Sequence, residues 1–125
     1  MKEIIKTDLP VSVPISHAVR AGDFIFVSGQ ISTDLKTNQI VRGGIEKETS
    51  VVLERIEHIL NDAGCSLQDV VKATVLLTNI NDFDGMNTVF KTYFPVDPPA
   101  RLCFEVKLAA DVAVEIEVIA YAPIK

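Results

Sequence analysis

Arg101, Glu115 and Glu117 stand among the valines and leucines of "PPARLCFEVKLAADVAVEIEVIAY", residues 98–121. The stretch reads as two strands. Side chains alternate along a strand, so Arg101, Cys103, Glu105 and Lys107 share one side of the first, opposite Leu102, Phe104, Val106 and Leu108. In the second, Glu115 and Glu117 lie with Ala113, opposite Val112, Val114, Ile116 and Val118. An arginine fork grips a carboxylate through two parallel hydrogen bonds. A nearby glutamate can hold a water or move a proton. Two readings fit. Pointed at a subunit interface, these groups make a partly dry charged patch that could bind and work on a small carboxylate. Pointed at water, they are a solvated face with ordinary cross-strand pairs. Glu105 and Lys107 belong to the second reading.

Four other residues carry a possible role. Asn87 falls in the middle of a helical stripe made by Phe83, Met86, Phe90 and Phe94, where a polar group needs a partner, either nearby backbone or a ligand. Ser28 ends an apolar segment just before Gly29 and is either a turn serine or a hydroxyl offered to a pocket. Cys103 is either a small buried hydrophobe or a nucleophile beside Arg101. His17 lies among polar and proline residues, and His58 faces away from the apolar stripe of its helix, toward solvent.

The elements that must position these residues follow from periodicity. The N-terminal "MKEIIKTD" has strand-like composition, and "LPVSVPISHAV" runs extended at an edge because of its prolines. "RAGD" is a turn through Gly22, and "FIFVSGQI" from Phe24 is a buried strand ending near Ser28–Gly29. The polar "STDLKTNQIVRGG" is a loop with a short strand at its end. Val52, Ile56, Ile59, Leu60 and Ala63 form one face of a helix, with Glu46 and Glu48 near its start and Gly64 closing it. "SLQD" has the form of a capping box, and "VVKATVLLT" follows as a strand. Asp82 caps a second helix, which Pro95, Pro98 and Pro99 end. The order β-β-α-β-α-β-β, with room for one more small strand, gives a two-layer α+β domain with two helices on one face of the sheet. Strands such as "FIFVSG" and "ATVLLT" are apolar on both sides, so something must cover the other face, and a second subunit is the simplest cover.

The 125 residues suit one domain, 1–125. No apolar run reaches the length of a membrane span, and the charged start lacks the apolar core of a signal peptide, so a cytoplasmic location and no membrane partner are expected. Two cysteines and two histidines do not assemble a zinc-finger-like ligand set, so no metal is expected. A net charge of −5 and no basic stripe weigh against a nucleic-acid surface. "RGG" before the first helix is too short to be a phosphate loop.

The blocks "FVSGQI", "AGCSLQDVVKATVLLTNINDF", "MNTVFKTYF", "PPAR" and "VEIEVIA", in this order and covering nearly the whole chain, resemble the Rid (YjgF) family of reactive-intermediate, or imine, deaminases. The resemblance implies a chorismate-mutase-like two-layer sandwich with a mixed sheet. It further implies a homotrimer with a central β-barrel and three clefts between subunits. It implies hydrolysis of 2-iminobutanoate and 2-iminopropanoate, imines released by pyridoxal-phosphate enzymes, to 2-oxo acids and ammonia without cofactor or metal. By resemblance, Arg101 binds the substrate carboxylate and Glu115 orients or activates water. Cys103 lends backbone contacts, Ser28 and Asn87 line the pocket, and Gly29 lets the backbone approach. One departure stands out: "VPIS" replaces the family's "GPYS", so Ile15 stands where the family has a pocket tyrosine. That leaves substrate range open and favours, as an alternative, a trimeric 2-oxo-acid binding protein without turnover. A ribonuclease or translation inhibitor is a further alternative, disfavoured by the acidic charge.

Overall fold

The computed structural model describes residues 1–124. Six strands form one sheet: β1 (Glu3–Ile4), β2 (Ala18–Ala21), β3 (Phe24–Gln30), β4 (Val70–Leu77), β5 (Ala100–Glu105) and β6 (Val114–Tyr121). Their order across the sheet is β1-β2-β3-β6-β4-β5. All neighbours are antiparallel except β4 and β5. A parallel pair needs a crossover, and α2 (Phe83–Tyr93) supplies it. The longer helix α1 (Ile45–Asp62) connects β3 to β4. The α+β, two-helix, mixed-sheet architecture is therefore the one expected, with a third short strand before α1.

Both helices lie on the same face of the sheet. Ile25 and Val27 from β3, Ala73, Val75 and Leu77 from β4, and Val114, Ile116 and Val118 from β6 are buried there. They meet Val52, Leu53, Ile56, Ile59 and Leu60 of α1 and Met86 and Phe90 of α2. The predicted stripe of α1 is in the core, but Ala63 is the half-buried C-cap and the buried face widens to include Thr49 and Arg55. Gly64 takes φ +84°, the left-handed conformation that closes a helix.

Local signals hold with three adjustments. The Ser66–Asp69 capping box forms, with Ser66 N–H donating to Asp69 Oδ2 at 2.9 Å, but it starts a short 3₁₀ turn. Asp82 sits at the N-cap of α2 without a side-chain capping bond, because a 3₁₀ turn at Ile80–Asp82 already leads into the helix. Asn79 caps that turn by accepting from Asn81 N–H at 2.9 Å. Arg20 and Ala21, expected in the turn, complete β2, and Gly22 (φ +61°) with Asp23 makes the tight connection. The loop after β3 carries a single bridge between Thr33 and Ile40. None of the described helices is long and apolar enough to cross a membrane.

The opposite face of the sheet is bare. Phe24, Phe26, Leu102, Phe104 and Tyr121 are exposed there by 40%, 44%, 53%, 43% and 47%. They form two apolar clusters, Phe24, Phe26 and Tyr121 on the neighbouring β3 and β6, and Leu102 and Phe104 on β5, with Glu115 and Glu117 between them.

Candidate functional site

Strand register separates the charged residues. Glu115 pairs with Leu76, and Leu76 pairs with Phe104, so Glu115 projects with Phe104 from the bare face. Arg101 pairs with Ala73, and Ala73 pairs with Val118, so Arg101 projects toward the helices. The single patch drawn from the two strands does not form within one chain. The alternation was correct for each strand, but the parallel pairing of β5 with β4 sets β5's polar side against the helix layer. The expected site residues thus fall into two groups.

The first group surrounds Glu115. β3 bulges between Val27 and Gln30, which brings Gly29 directly under the Glu115 carboxyl. A Cβ at Gly29 would collide with Glu115 Oε2 and stand 3.1 Å from Cδ and 3.3 Å from Cγ. Glycine leaves the space that the Glu115 carboxyl occupies. Glu115 and Gly29 line a cavity whose rim includes Val13 and Ile15. Burial raises the Glu115 pKa above its ordinary value, and the Glu117 carboxylate on the same strand face adds to the effect. Ser28 does not offer its proton to this cavity: its Oγ donates to Ser16 O at 2.6 Å, tying β3 to the segment that carries Ile15.

The second group surrounds Arg101. Its guanidinium lies over the rings of Phe90 (4.9 Å) and Phe83 (5.6 Å), with Nη1 3.8 Å from Met86 Sδ. It opens onto a second cavity shared with Asn87, Phe94, Pro98 and Pro99. Among the described residues no carboxylate pairs with it. Asn87 is half-buried at the cavity wall, which gives the polar residue on the apolar stripe an outlet. Cys103 lies on the Arg101 side of β5, half-buried against the core. Burial raises its thiol pKa despite the opposing effect of Arg101, so it is held as a neutral thiol.

A buried polar chain behind Glu115 was not anticipated. Gln30 and Arg55 are almost fully buried, and His17 nearly so. His17 Nε2 lies 3.1 Å from the Pro10 carbonyl, which can only accept, so the proton is on Nε2. Its Nδ1 then accepts from Gln30 Nε2 at 3.3 Å, which also donates to Ser28 O at 3.1 Å. Gln30 Oε1 consequently faces Arg55, accepting from Nε at 3.1 Å. Glu48 is a second buried charge: its Oε1 accepts from Ala113 N–H at 2.9 Å and fixes the entry to β6 just before Glu115. The available signal was position: Arg55 stands three residues from Val52 and four from Ile59, beside the core stripe. Elsewhere, Asp8, His58 and Asp62 are close enough to share a metal ion, but they are bound to each other by a 2.8 Å His58–Asp8 pair and line neither cavity.

Residues 6–122 match the family profile described as Endoribonuclease L-PSP, the Rid (YjgF) family. The chain belongs to this family. Relatives span its full length. A RutC family protein of Pyrococcus horikoshii is 50% identical over 97% of this chain and 98% of its own. The mouse protein named 2-iminobutanoate/2-iminopropanoate deaminase is 41% identical over 95% of this chain and 90% of its own. Among solved structures, a Thermotoga maritima protein described as a putative endoribonuclease superposes with TM-score 0.91 at 44% identity, covering 97% and 98% of the two chains. E. coli TdcF with bound serine superposes with TM-score 0.88 at 35% identity, covering 95% and 98%. These Rid-type neighbours have the same two-layer fold.

Proposed function

We propose that this Rid-family chain is a cytoplasmic imine deaminase whose site is completed between copies of a homotrimer. The observation that carries the reading is the division of the site. An arginine without an acid partner opens a cavity on the helix side, and a half-buried carboxyl whose pKa burial raises opens one on the bare side. Neither half alone binds and hydrolyses a 2-imino acid. The apolar bare face supplies a reason to assemble, because burying it against other copies removes about 25 cal/mol of penalty per Å² of apolar surface. Deaminase names among relatives about 40% identical support the chemistry.

Arg101 of one copy grips the carboxylate of 2-iminobutanoate or 2-iminopropanoate, and Asn87 beside it narrows the position. Glu115 of another copy, its pKa raised by burial, holds the attacking water, takes a proton from it and returns one to the nitrogen. Water oxygen bonds to the imine carbon, the carbinolamine collapses, and ammonia leaves a 2-oxo acid. Cys103 shapes the pocket as a neutral group, and no cofactor is called on. A coupled assay tests the reading. A threonine dehydratase generates 2-iminobutanoate, semicarbazide traps what remains, and wild type is compared with Arg101→Ala. Acceleration by wild type alone supports the deaminase. Equal rates for wild type and Arg101→Ala would sink it.

Ile15 in the cavity rim favours one second reading, a 2-oxo-acid binding protein in which carboxylate affinity persists without turnover. The ribonuclease reading has the net charge of −5 against it.

A further inference from the structure

Arg55 is a buried cation without a counter-charge. It is 4% exposed, and burial pushes its pKa down. Among the described residues it forms no salt bridge. Its two hydrogen bonds go to neutral acceptors, Gln30 Oε1 and Thr33 O, each at 3.1 Å. Buried charges are ordinarily paired, because leaving one alone forfeits its hydration without a Coulombic return. The buried Glu48 and the half-buried Glu115, which shares a cavity with Arg55, have other partners. Glu48 accepts from Ala113 N–H and Ser32 Oγ, and the charge acting on Glu115 is that of Glu117.

Arg55 lines the same cavity as Glu115, Gly29 and Ile15. The rest of its N–H fork has no protein acceptor among the described residues, and its orientation is fixed from behind by the one-way chain from His17 through Gln30. A guanidinium held in place before any ligand arrives loses little freedom on binding.

We propose that Arg55 is a second anion subsite, which reads a carboxylate other than the one held by Arg101. The ligand class is then the small dicarboxylic 2-imino acids and their 2-oxo products. The inference rests on the proposed role of Arg101 for the first carboxylate. A planar carboxylate suits the planar fork, which can donate two parallel hydrogen bonds to it.

The test is a binding titration of the full chain at fixed ionic strength, with 2-oxobutanoate and 2-oxoglutarate as probes. The protein is labelled with ¹⁵N-arginine, of which it has only Arg20, Arg42, Arg55 and Arg101. A charge-assisted contact predicts binding of 2-oxoglutarate tighter by about 10-fold or more. The Arg55 Nε resonance should shift with the dicarboxylate and not with the monocarboxylate. Arg55→Gln should reduce 2-oxoglutarate binding to the monocarboxylate level. Equal affinities in wild type, or a preference that survives Arg55→Gln, overturn the proposal. If Arg55→Gln fails to fold, the wild-type resonances decide: a dicarboxylate shift confined to Arg101 overturns it. The deaminase reading fails separately. Hydrolysis of 2-iminobutanoate without dicarboxylate preference sinks only the subsite, and preference without hydrolysis sinks only the deaminase.

Discussion

Gly29→Ala should separate the geometry of the Glu115 cavity from the stability of the fold. The new methyl collides with Glu115 Oε2 and presses on Cδ at 3.1 Å and Cγ at 3.3 Å. The obstacle is the end of a flexible side chain, so the carboxyl can swing away. The cost should sit at the low end of overpacking, about 1 kcal/mol, which lowers Tm by about 3–6 °C for a chain of this size. Catalysis should suffer more. A displaced proton donor forfeits its contribution, about 10²-fold in kcat/KM at the low end for acid–base groups. The assay is trapping of 2-iminobutanoate beside a thermal melt. The double variant Gly29→Ala/Glu115→Ala completes the cycle: with the carboxyl gone the methyl has room, so the double variant should be no slower than Glu115→Ala and should regain the lost Tm. Full activity in Gly29→Ala, or a double variant that stays as destabilised as the single, refutes the reasoning.

Other outcomes follow from the same structure. Leu53→Ala empties a fully buried site between the helices and the sheet and should cost about 2–5 kcal/mol in denaturant unfolding. Arg101→Lys keeps the charge but loses the planar fork and the ring contacts, so KM for 2-iminobutanoate should rise about 10-fold with a smaller change in kcat. The raised pKa of Glu115 means that the folded chain binds its proton more tightly than the unfolded chain. Its stabilising effect is full below the ordinary value of 4.5 and is lost as pH rises through the folded value. Glu115→Gln should therefore melt higher than wild type at neutral pH, with the gap closing toward pH 4; a gap independent of pH would contradict this.

Periodicity made the helices and strands readable. The stripe of α1 and the alternation in β6 are direct consequences of side-chain direction, and the glycine at 64 needs only a backbone argument. The Ser66–Asp69 box was equally legible, because its bonds are local. What could not be read was sheet order. Nothing in "ARLCFE" reveals that β5 lies at the edge, parallel to β4, in the register that sends Arg101 toward Phe90 and so away from the side that Glu115 takes on β6. The polar chain from His17 to Arg55 was hidden for the same reason, since it joins the N-terminal segment, β3 and α1. Gly29 showed its glycine in the sequence, but only the bulge and the neighbouring β6 show what it makes room for.

The proposed deaminase needs Arg101 of one copy and Glu115 of another in the same site. Subunit complementation tests it most directly. Arg101→Ala and Glu115→Gln, each with little activity alone, are unfolded together in equal amounts, refolded, and assayed with 2-iminobutanoate. Random assembly of a ring gives each interface one intact arginine and one intact glutamate about one time in four, so about a quarter of wild-type activity should return. A mixture no more active than the separate variants would contradict the claim.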